Sequence, residues 1–272
     1  MTTKPIDIQS LRGQLRLRLL GLYNQAHAGH IGCSLSCIDL MIATLILRKR
    51  PQDTFLLSKG HAAAALYACL NYLGDISDDE LATYYKNGTT LPAHPAPNQH
   101  KGIPFATGSL GHGLPIGVGI AHAGKLLGDD SRVYVLMSDG ETNEGTTWEA
   151  AHFALQHKLD NLAVLIDKNG LQGFGRTADV FGDTADVRIW ETMGFETIEV
   201  DGHDVEAVLA GLDNFQASGT GKPKLVIAHT VKGKGVSYME NRLEWHYLPM
   251  TPAQYEQACA DVSALFPVSL PA

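Results

Sequence analysis

"VYVLMSDGETNEG", residues 133–145, runs five apolar residues, Val133 to Met137, straight into Asp139-Gly140, two further acids and a second glycine. A short apolar run rich in β-branched and aromatic side chains and stopped by Ser-Asp-Gly reads as a buried strand ending in a turn. Three acids at the end of such a strand are either a solvated loop or include one that holds something positive. From here outward, strand and helix signals alternate. Helix "LPIGVGIAHAGKLL" precedes strand "RVYVLM", and helix "TTWEAAHFALQHK" leads to strand "LAVLID". Helix "DVRIWETMG" then leads to "ETIEV", and helix "DVEAVLAGLDNF" to "KLVIAHT". That spacing implies βαβ units in an α/β fold with a doubly wound parallel sheet, a class that binds ligands at the carboxyl ends of its strands.

The N-terminal part reads as helical. "SLRGQLRLRLLGLYNQAH" is amphipathic, and "SLSCIDLMIATLILRKR" begins with a Ser cap and ends in a basic turn. "DTFLL" is a short strand, "GHAAAALYACLNYLG" a small-residue helix, and Ser77 with Glu80 forms a capping box. The stretch from Asn87 to Gly119 is rich in Gly, Pro and His. Irregular segments of that length inside a compact domain are usually functional or disordered, and this one lacks the charge of a linker. No internal repeat or linker interrupts the chain, so one domain over 1–250 is expected, with 251–272 as a C-terminal extension.

Among 272 residues, 44% are hydrophobic and 18% charged, with a net charge of −8. Such a chain is not expected to bind nucleic acid or an anionic membrane generally, so an anionic ligand has to be held locally. No apolar run approaches 18 residues and the start lacks a signal-peptide core, which points to a cytoplasmic protein. Four cysteines are too few for a disulfide framework at this length, and Cys33 and Cys37, lacking a second pair at zinc-site spacing, read as buried thiols.

Asp139 and Asn169 lie 30 residues apart, each just past a predicted strand, with one helix between. Neighbouring parallel strands bring both side chains to one edge of the sheet. A carboxylate plus an amide oxygen suits a hard divalent cation such as Mg²⁺, which completes its oxygen shell with water and substrate phosphates. Gly140 and Gly145 permit close backbone approach, and the helix starting near Thr146 offers free N–H groups to an anion. Equally, a strand ending in Asp-Gly is an ordinary turn.

The stretch "SDGETNEG…WEAAHFALQHKLDNLAVLIDKNGLQ" resembles the thiamine-diphosphate motif of transketolases, a Gly-Asp-Gly run followed about 30 residues later by Asn. "AGHIGCSLSCIDL", "LLSKGHAAAALYA", "LPAHP", "TGSLGHGLPIGVGIA" and "HTVKGKGVSYMEN" resemble other stretches of that family, in order, over roughly residues 10 to 250. The resemblance implies a thiamine-diphosphate-binding domain of the diphosphate (PP) type. It implies Mg²⁺ or Ca²⁺ held by Asp139, Asn169 and the Leu171 carbonyl, with Gly140 against the diphosphate. His61 would line the diphosphate and thiazolium side, while His30 and His94 would face the sugar substrate as catalytic residues. Gly108, Ser109, Leu110 and His112 would lie beside the aminopyrimidine, Glu144 at the contact between subunits that joins two cofactors, and His246 near the diphosphate. Ile31 stands where the family has Pro, Ser138 where it has Gly, Ala93 where it often has Gly, and His112 where it commonly has Gln; Ile31 and His112 put the usual substrates in doubt.

Full transketolases carry two further domains. The family's pyrimidine-binding domain, with its cofactor-activating glutamate, has no counterpart in these residues. The resemblance therefore implies the N-terminal subunit of a split transketolase. With a C-terminal subunit it would move a two-carbon ketol unit from a ketose to an aldose, sugar phosphates being the expected substrates. A 2-oxo acid donor, a specialised sugar acceptor, and a non-catalytic chain that keeps the fold are the alternatives. His27, His122, His152 and His157 read as surface or core residues, Glu141 as solvated, and Asp201-Gly202-His203 as a loop and helix cap. "KGKG", residues 232–235, reads equally as a solvated basic turn or an anion-binding strand end. "GFGRTA" and "SGTGKP" lack the helix and the residues that a dinucleotide or phosphate loop needs.

Overall fold

The computed structural model describes residues 6–97, 100–213 and 220–268. Its first layer begins with α1 (Ile8–Ala26) and α2 (Ile31–Met41), which continues as a π-helical segment, Ile42–Arg48. Strand β1 (Thr54–Leu57) follows, then α3 (Ala63–Tyr72) and the short α4 (Asp78–Leu81). Helix α5 (Gly113–Leu127), strand β2 (Val133–Ser138), helix α6 (Gly145–Gln156) and strand β3 (Leu162–Lys168) form the centre. A two-residue hairpin, β4 (Leu171–Gln172) and β5 (Gly175–Arg176), leads to α7 (Thr177–Phe181) and α8 (Val187–Met193). Strand β6 (Glu196–Asp201), helix α9 (Val205–Asp213), strand β7 (Lys224–His229) and helix α10 (Pro252–Leu265) complete the order.

Five strands make one sheet in the order β1-β2-β3-β7-β6, and every pairing in it is parallel. Successive side chains on a strand point to opposite faces. Tyr134, Leu136, Ala163, Leu165, Val226 and Ala228 accordingly join the core under α1, α2, α3 and α9, whereas Val133, Val135, Met137, Val164, Ile166 and Ile227 join the core under α5, α6 and α8. Both faces being covered explains why these strands read as continuous apolar runs. Helix α10 contributes Ala258 and Val262, together with Phe266, to the α1 side.

Several expectations change. Ser34 is not a helix cap: α2 starts three residues earlier, and the Ser34 hydroxyl lies inside it, 2.7 Å from Tyr23 Oη. The side chain of Ser77 caps α4 by accepting from the Glu80 N–H, but the Glu80 carboxylate accepts from Thr90 and contacts His100, so the reciprocal half of the box is spent elsewhere. Ile31–Arg48 is long and apolar enough to cross a membrane by length and composition, which the apolar runs had not suggested. It is 83% buried within the fold, the behaviour of a core helix. The last two residues of the predicted helix "DVEAVLAGLDNF" lie outside the described residues.

Helix α5 lies close on β2 because Gly117 has no side chain: a Cβ there would stand 2.4 Å from Val135 Cγ2. Gly117→Ala is expected to destabilise the chain by about 1–3 kcal/mol through overpacking, read as a lower urea midpoint.

Candidate functional site

All five strands of a parallel sheet end on the same edge, and here four of those ends wall a cavity of about 470 Å³. Lys59 and His61 follow β1, Asp139 and Gly140 follow β2, Asn169 and Leu171 follow β3, and Lys232 follows β7. His30 from the start of α2, His94 and Gly108 from the irregular segment, and His246 close the remaining sides.

Asp139 is 2% exposed and fully engaged. Its Oδ1 accepts from the Gly140 N–H at 2.8 Å, and its Oδ2 accepts from the Gly170 N–H at 2.7 Å and from Thr177 Oγ1 at 3.0 Å. Burial, then the neighbouring charge of Asp167, pushes the Asp139 carboxyl above its ordinary range. A cation placed against it would reverse that penalty. Asn169 turns its Oδ1 toward the Leu171 N–H at 3.0 Å and its amide group toward Ser36 and Asp167.

Beneath lies a buried ion pair, Lys59 with Asp167, both side chains at 0% exposure. Asp167 also accepts from Ser36 Oγ at 2.6 Å and from Thr230, and Lys59 donates to the Cys33 carbonyl at 3.2 Å. Burial opposes the Lys59 charge, but Asp167 outweighs it and holds the ammonium above its ordinary range.

Lys232 is different. It is 0% exposed, and among the described residues no carboxylate pairs with it. Its Nζ lies 3.2 Å from Cys33 Sγ, 3.0 Å from His246 Nδ1 and 3.4 Å from the Leu171 carbonyl. Of the two readings of "KGKG", the solvated turn does not hold for Lys232. Burial alone would raise the Cys33 thiol; Lys232, His61 and His246 override that and hold it well below its usual range.

Four histidines meet across the cavity. His30 lies 5.0 Å from His246, 5.6 Å from His61 and 5.9 Å from His94 between ring centroids, and His61 stacks on His246 at 5.7 Å. His30 sits in left-handed backbone at φ +73°, an uncommon conformation for a residue with a Cβ. Its N–H donates to the His246 carbonyl at 3.1 Å, which ties the two rings' segments together. Burial, with the other rings adding to it, pushes His30 down to about 4. Burial also lowers His61 and His94. Gly108, at φ +144°, lets the irregular segment pass under His94, where a Cβ would stand 2.8 Å from the ring.

The cavity thus gathers His30, His61, His94, Gly108, Leu110, Asp139, Gly140, Glu144, Asn169, Leu171 and His246. It does not gather Ser109 or His112: both are exposed, and His112 precedes α5 with its Nδ1 3.1 Å from the Leu110 carbonyl. Glu144 is exposed at the rim. Glu141 is not solvated. It is 0% exposed, accepting from Ser58 Oγ, the Gly111 N–H at 2.9 Å and the Ser138 N–H at 3.4 Å, so it fastens the Gly108–His112 loop to the ends of β1 and β2. Lys59 was not singled out from the sequence, because a single Lys carries no spacing signal; its place just past β1 turns it inward, while Cys33, read as a buried thiol, faces the cavity from the first turn of α2.

The family model for "Transketolase, thiamine diphosphate binding domain" matches residues 10–261. The chain is 41% identical over 233 residues to an apulose-4-phosphate transketolase subunit of Actinobacillus succinogenes, covering 82% of this chain and 84% of that one. It is 40% identical over 272 residues to the subunit of the same name from Phocaeicola vulgatus, covering 97% and 95%. The 6-deoxy-6-sulfo-D-fructose transketolase subunit SqwG of a Clostridium species is 31% identical, covering 96% and 98%. Among solved structures, the transketolase from Leishmania mexicana superposes with a TM-score of 0.86 at 26% identity, covering 96% of this chain and 44% of that one. The chain therefore spans less than half the length of that solved transketolase. Sequence, fold and cavity agree, and the chain belongs to the transketolase family, as a thiamine-diphosphate-binding chain of the kind found in transketolases built from separate subunits.

Proposed function

We propose that this chain supplies the diphosphate- and metal-binding half of a two-chain transketolase, which moves a two-carbon ketol unit from a ketose to an aldose. The observation that carries this reading is the buried Lys232 ammonium, with no carboxylate partner among the described residues, lining the same cavity as the buried Asp139 carboxylate. A diphosphate with its metal matches both: oxyanions satisfy Lys232, and a divalent cation satisfies Asp139 together with the Asn169 and Leu171 oxygens. Mg²⁺ is the expected ion, with Ca²⁺ of the same ligand chemistry as its substitute. Bound thiamine diphosphate would supply the carbanion chemistry that side chains lack. The chain's own residues hold its charged end, exclude water, and present imidazoles to the sugar. His30, lowered to about 4, is uncharged at neutral pH, so one ring nitrogen can donate to a substrate oxygen while the other accepts a proton.

The partner in this proposal is a C-terminal subunit carrying the pyrimidine-binding domain and the glutamate that activates the cofactor. The substrate class is a sugar bearing an anionic group, in keeping with the phosphate and sulfonate sugars named for the relatives. A cytoplasmic location belongs to the same proposal; the four cysteines are all unpaired thiols, as suits a reducing compartment.

Lys232→Met removes a charge-assisted hydrogen bond of about 1.5–3 kcal/mol, so the two-chain enzyme is expected to bind thiamine diphosphate about 10- to 100-fold more weakly. Isothermal titration with Mg²⁺ present measures this, and unchanged affinity would remove the diphosphate from Lys232. Asp139→Asn is expected to abolish the Mg²⁺ dependence of cofactor binding; a titration that still responds to Mg²⁺ would displace Asp139 as a ligand.

The histidines set an acid limit on stability. His30 binds its proton at an ordinary 6.5 when unfolded and near 4 when folded. Between those values the unfolded chain binds more protons, so stability falls as pH drops from about 6.5 toward 4. His30→Asn, which tolerates left-handed backbone, is expected to flatten that part of the melting-temperature profile; a profile as steep as the parent's would contradict the assignment.

A further inference from the structure

Lys232 works only if its backbone is aimed into the cavity, and the sheet does not do the aiming. The β3–β7 ladder runs out at Thr230, whose N–H still reaches the Lys168 carbonyl at 3.1 Å. At Val231, which is half-buried, the chain leaves the sheet, and its backbone N–H needs another acceptor. It finds the ring of His203: the Val231 N–H donates to His203 Nε2 at 2.8 Å. A ring nitrogen that accepts from a backbone N–H carries no proton, so the tautomer is set, and Nδ1–H donates to Asp39 Oδ2 at 2.9 Å.

Asp39 is itself held on several sides. It is 0% exposed and is gripped by Arg16 at 2.9 and 2.6 Å and by Arg12 at 2.9 and 3.3 Å. Burial would raise its carboxyl; Arg16, then the hydrogen bonds from His203 and both arginines, hold it well below the ordinary range. Arg12 also donates to the His203 carbonyl at 2.9 Å, so backbone and ring of His203 are fixed by one cluster on α1 and α2. The turn that carries His203 presses against β7: a Cβ on Gly202 would stand 2.4 Å from Thr230 Cγ2. On the far side of Val231, the Lys232 carbonyl accepts from the Asn241 N–H at 2.9 Å, and the Gly233 N–H donates to the Gly32 carbonyl at 3.0 Å.

We propose that His203 is a positioning residue for Lys232, holding the Val231 N–H so that the lysine ammonium is presented to the anionic end of the cofactor. The inference rests on the diphosphate reading of the cavity. It gives the Asp201-Gly202-His203 turn at the end of β6, otherwise a loop and cap, a part in the site that its strand does not wall. His203 does not line the cavity and reaches Lys232 through Val231.

Two substitutions separate the two bonds of the ring. In His203→Asn the amide stands at the δ position, keeping the Asp39 bond and losing Val231. In His203→Gln the carbonyl reaches the ε position, keeping Val231 and losing Asp39. Thiamine diphosphate affinity of the reconstituted two-chain enzyme, titrated with Mg²⁺, is expected to fall about tenfold in His203→Asn, the worth of one buried hydrogen bond, and to stay within about twofold in His203→Gln. In a Lys232→Met background, His203→Asn is expected to add no more than about twofold, because the two residues act as one unit. A purely structural His203 gives equal losses in both variants, or losses that multiply with Lys232→Met, and either result overturns the proposal. Parent enzyme that binds no thiamine diphosphate would overturn the underlying reading instead, whereas parent binding with an unaffected His203→Asn overturns this inference alone.

Discussion

The buried pair of Lys59 and Asp167 is the interaction on which the site depends. Lys59 follows β1 and Asp167 belongs to β3, so the pair spans the strand between them and fixes three neighbouring strand ends at once. Such a pair contributes little net stability once desolvation is counted, yet removing one partner strands a buried charge at a cost of about 3–5 kcal/mol. Ser36, Thr230 and the Cys33 carbonyl satisfy the remaining hydrogen-bonding capacity, which draws α2 and the end of β7 into the same knot. Asp139 and Lys232 are placed relative to this knot, and so is any ligand that meets them.

Function here consists largely of charge held where water would otherwise be preferred. Asp139, Glu141 and Asp167 are all at 2% exposure or less, and Lys59 and Lys232 at 0%. Three of these five are structural: Glu141 ties down the Gly108–His112 loop, and Lys59 and Asp167 neutralise one another. The other two, Asp139 and Lys232, face the cavity and form no ion pair with an opposite side-chain charge of Asp, Glu, Lys or Arg among the described residues, Lys232 lying 3.2 Å from the Cys33 sulfur, and the proposed diphosphate-metal pair is of opposite polarity to both. Around them burial favours the uncharged form of His30, His61 and His94, as the proposed proton exchange with a sugar requires.

Much of this was legible in the chain. The strand that ends in Ser-Asp-Gly, the 30-residue step to Asn169 and the alternation of strands and helices point to the parallel sheet, and the ordered motifs place eleven of the expected residues around one cavity. What stayed hidden has a common cause. Glu141 looks like Glu144 in a row of polar residues; only its contacts with Ser58 and Gly111, 83 and 30 residues away, turn it inward. Lys232 sits in a basic, glycine-rich turn that reads equally as solvated or as an anion-binding strand end, and its burial follows from α2 and His246 closing over it. Ser34 has a cap's chemistry but lies inside its helix because Tyr23 supplies it a partner there. Ser109 and His112 belong to the same loop as Gly108 yet point to solvent, since the loop is anchored through Gly111 instead.

Whether this chain, with a second one, holds thiamine diphosphate and a divalent cation is decided by native mass spectrometry. The tagged chain is drawn from its own host with Mg²⁺ and thiamine diphosphate in the buffer. The expected species is a complex of two kinds of chain that retains cofactor and metal mass in the gas phase. A chain that emerges alone and without cofactor would contradict the proposed function, and would leave the buried Asp139 and Lys232 as parts of a fold that has kept its charges without their ligand.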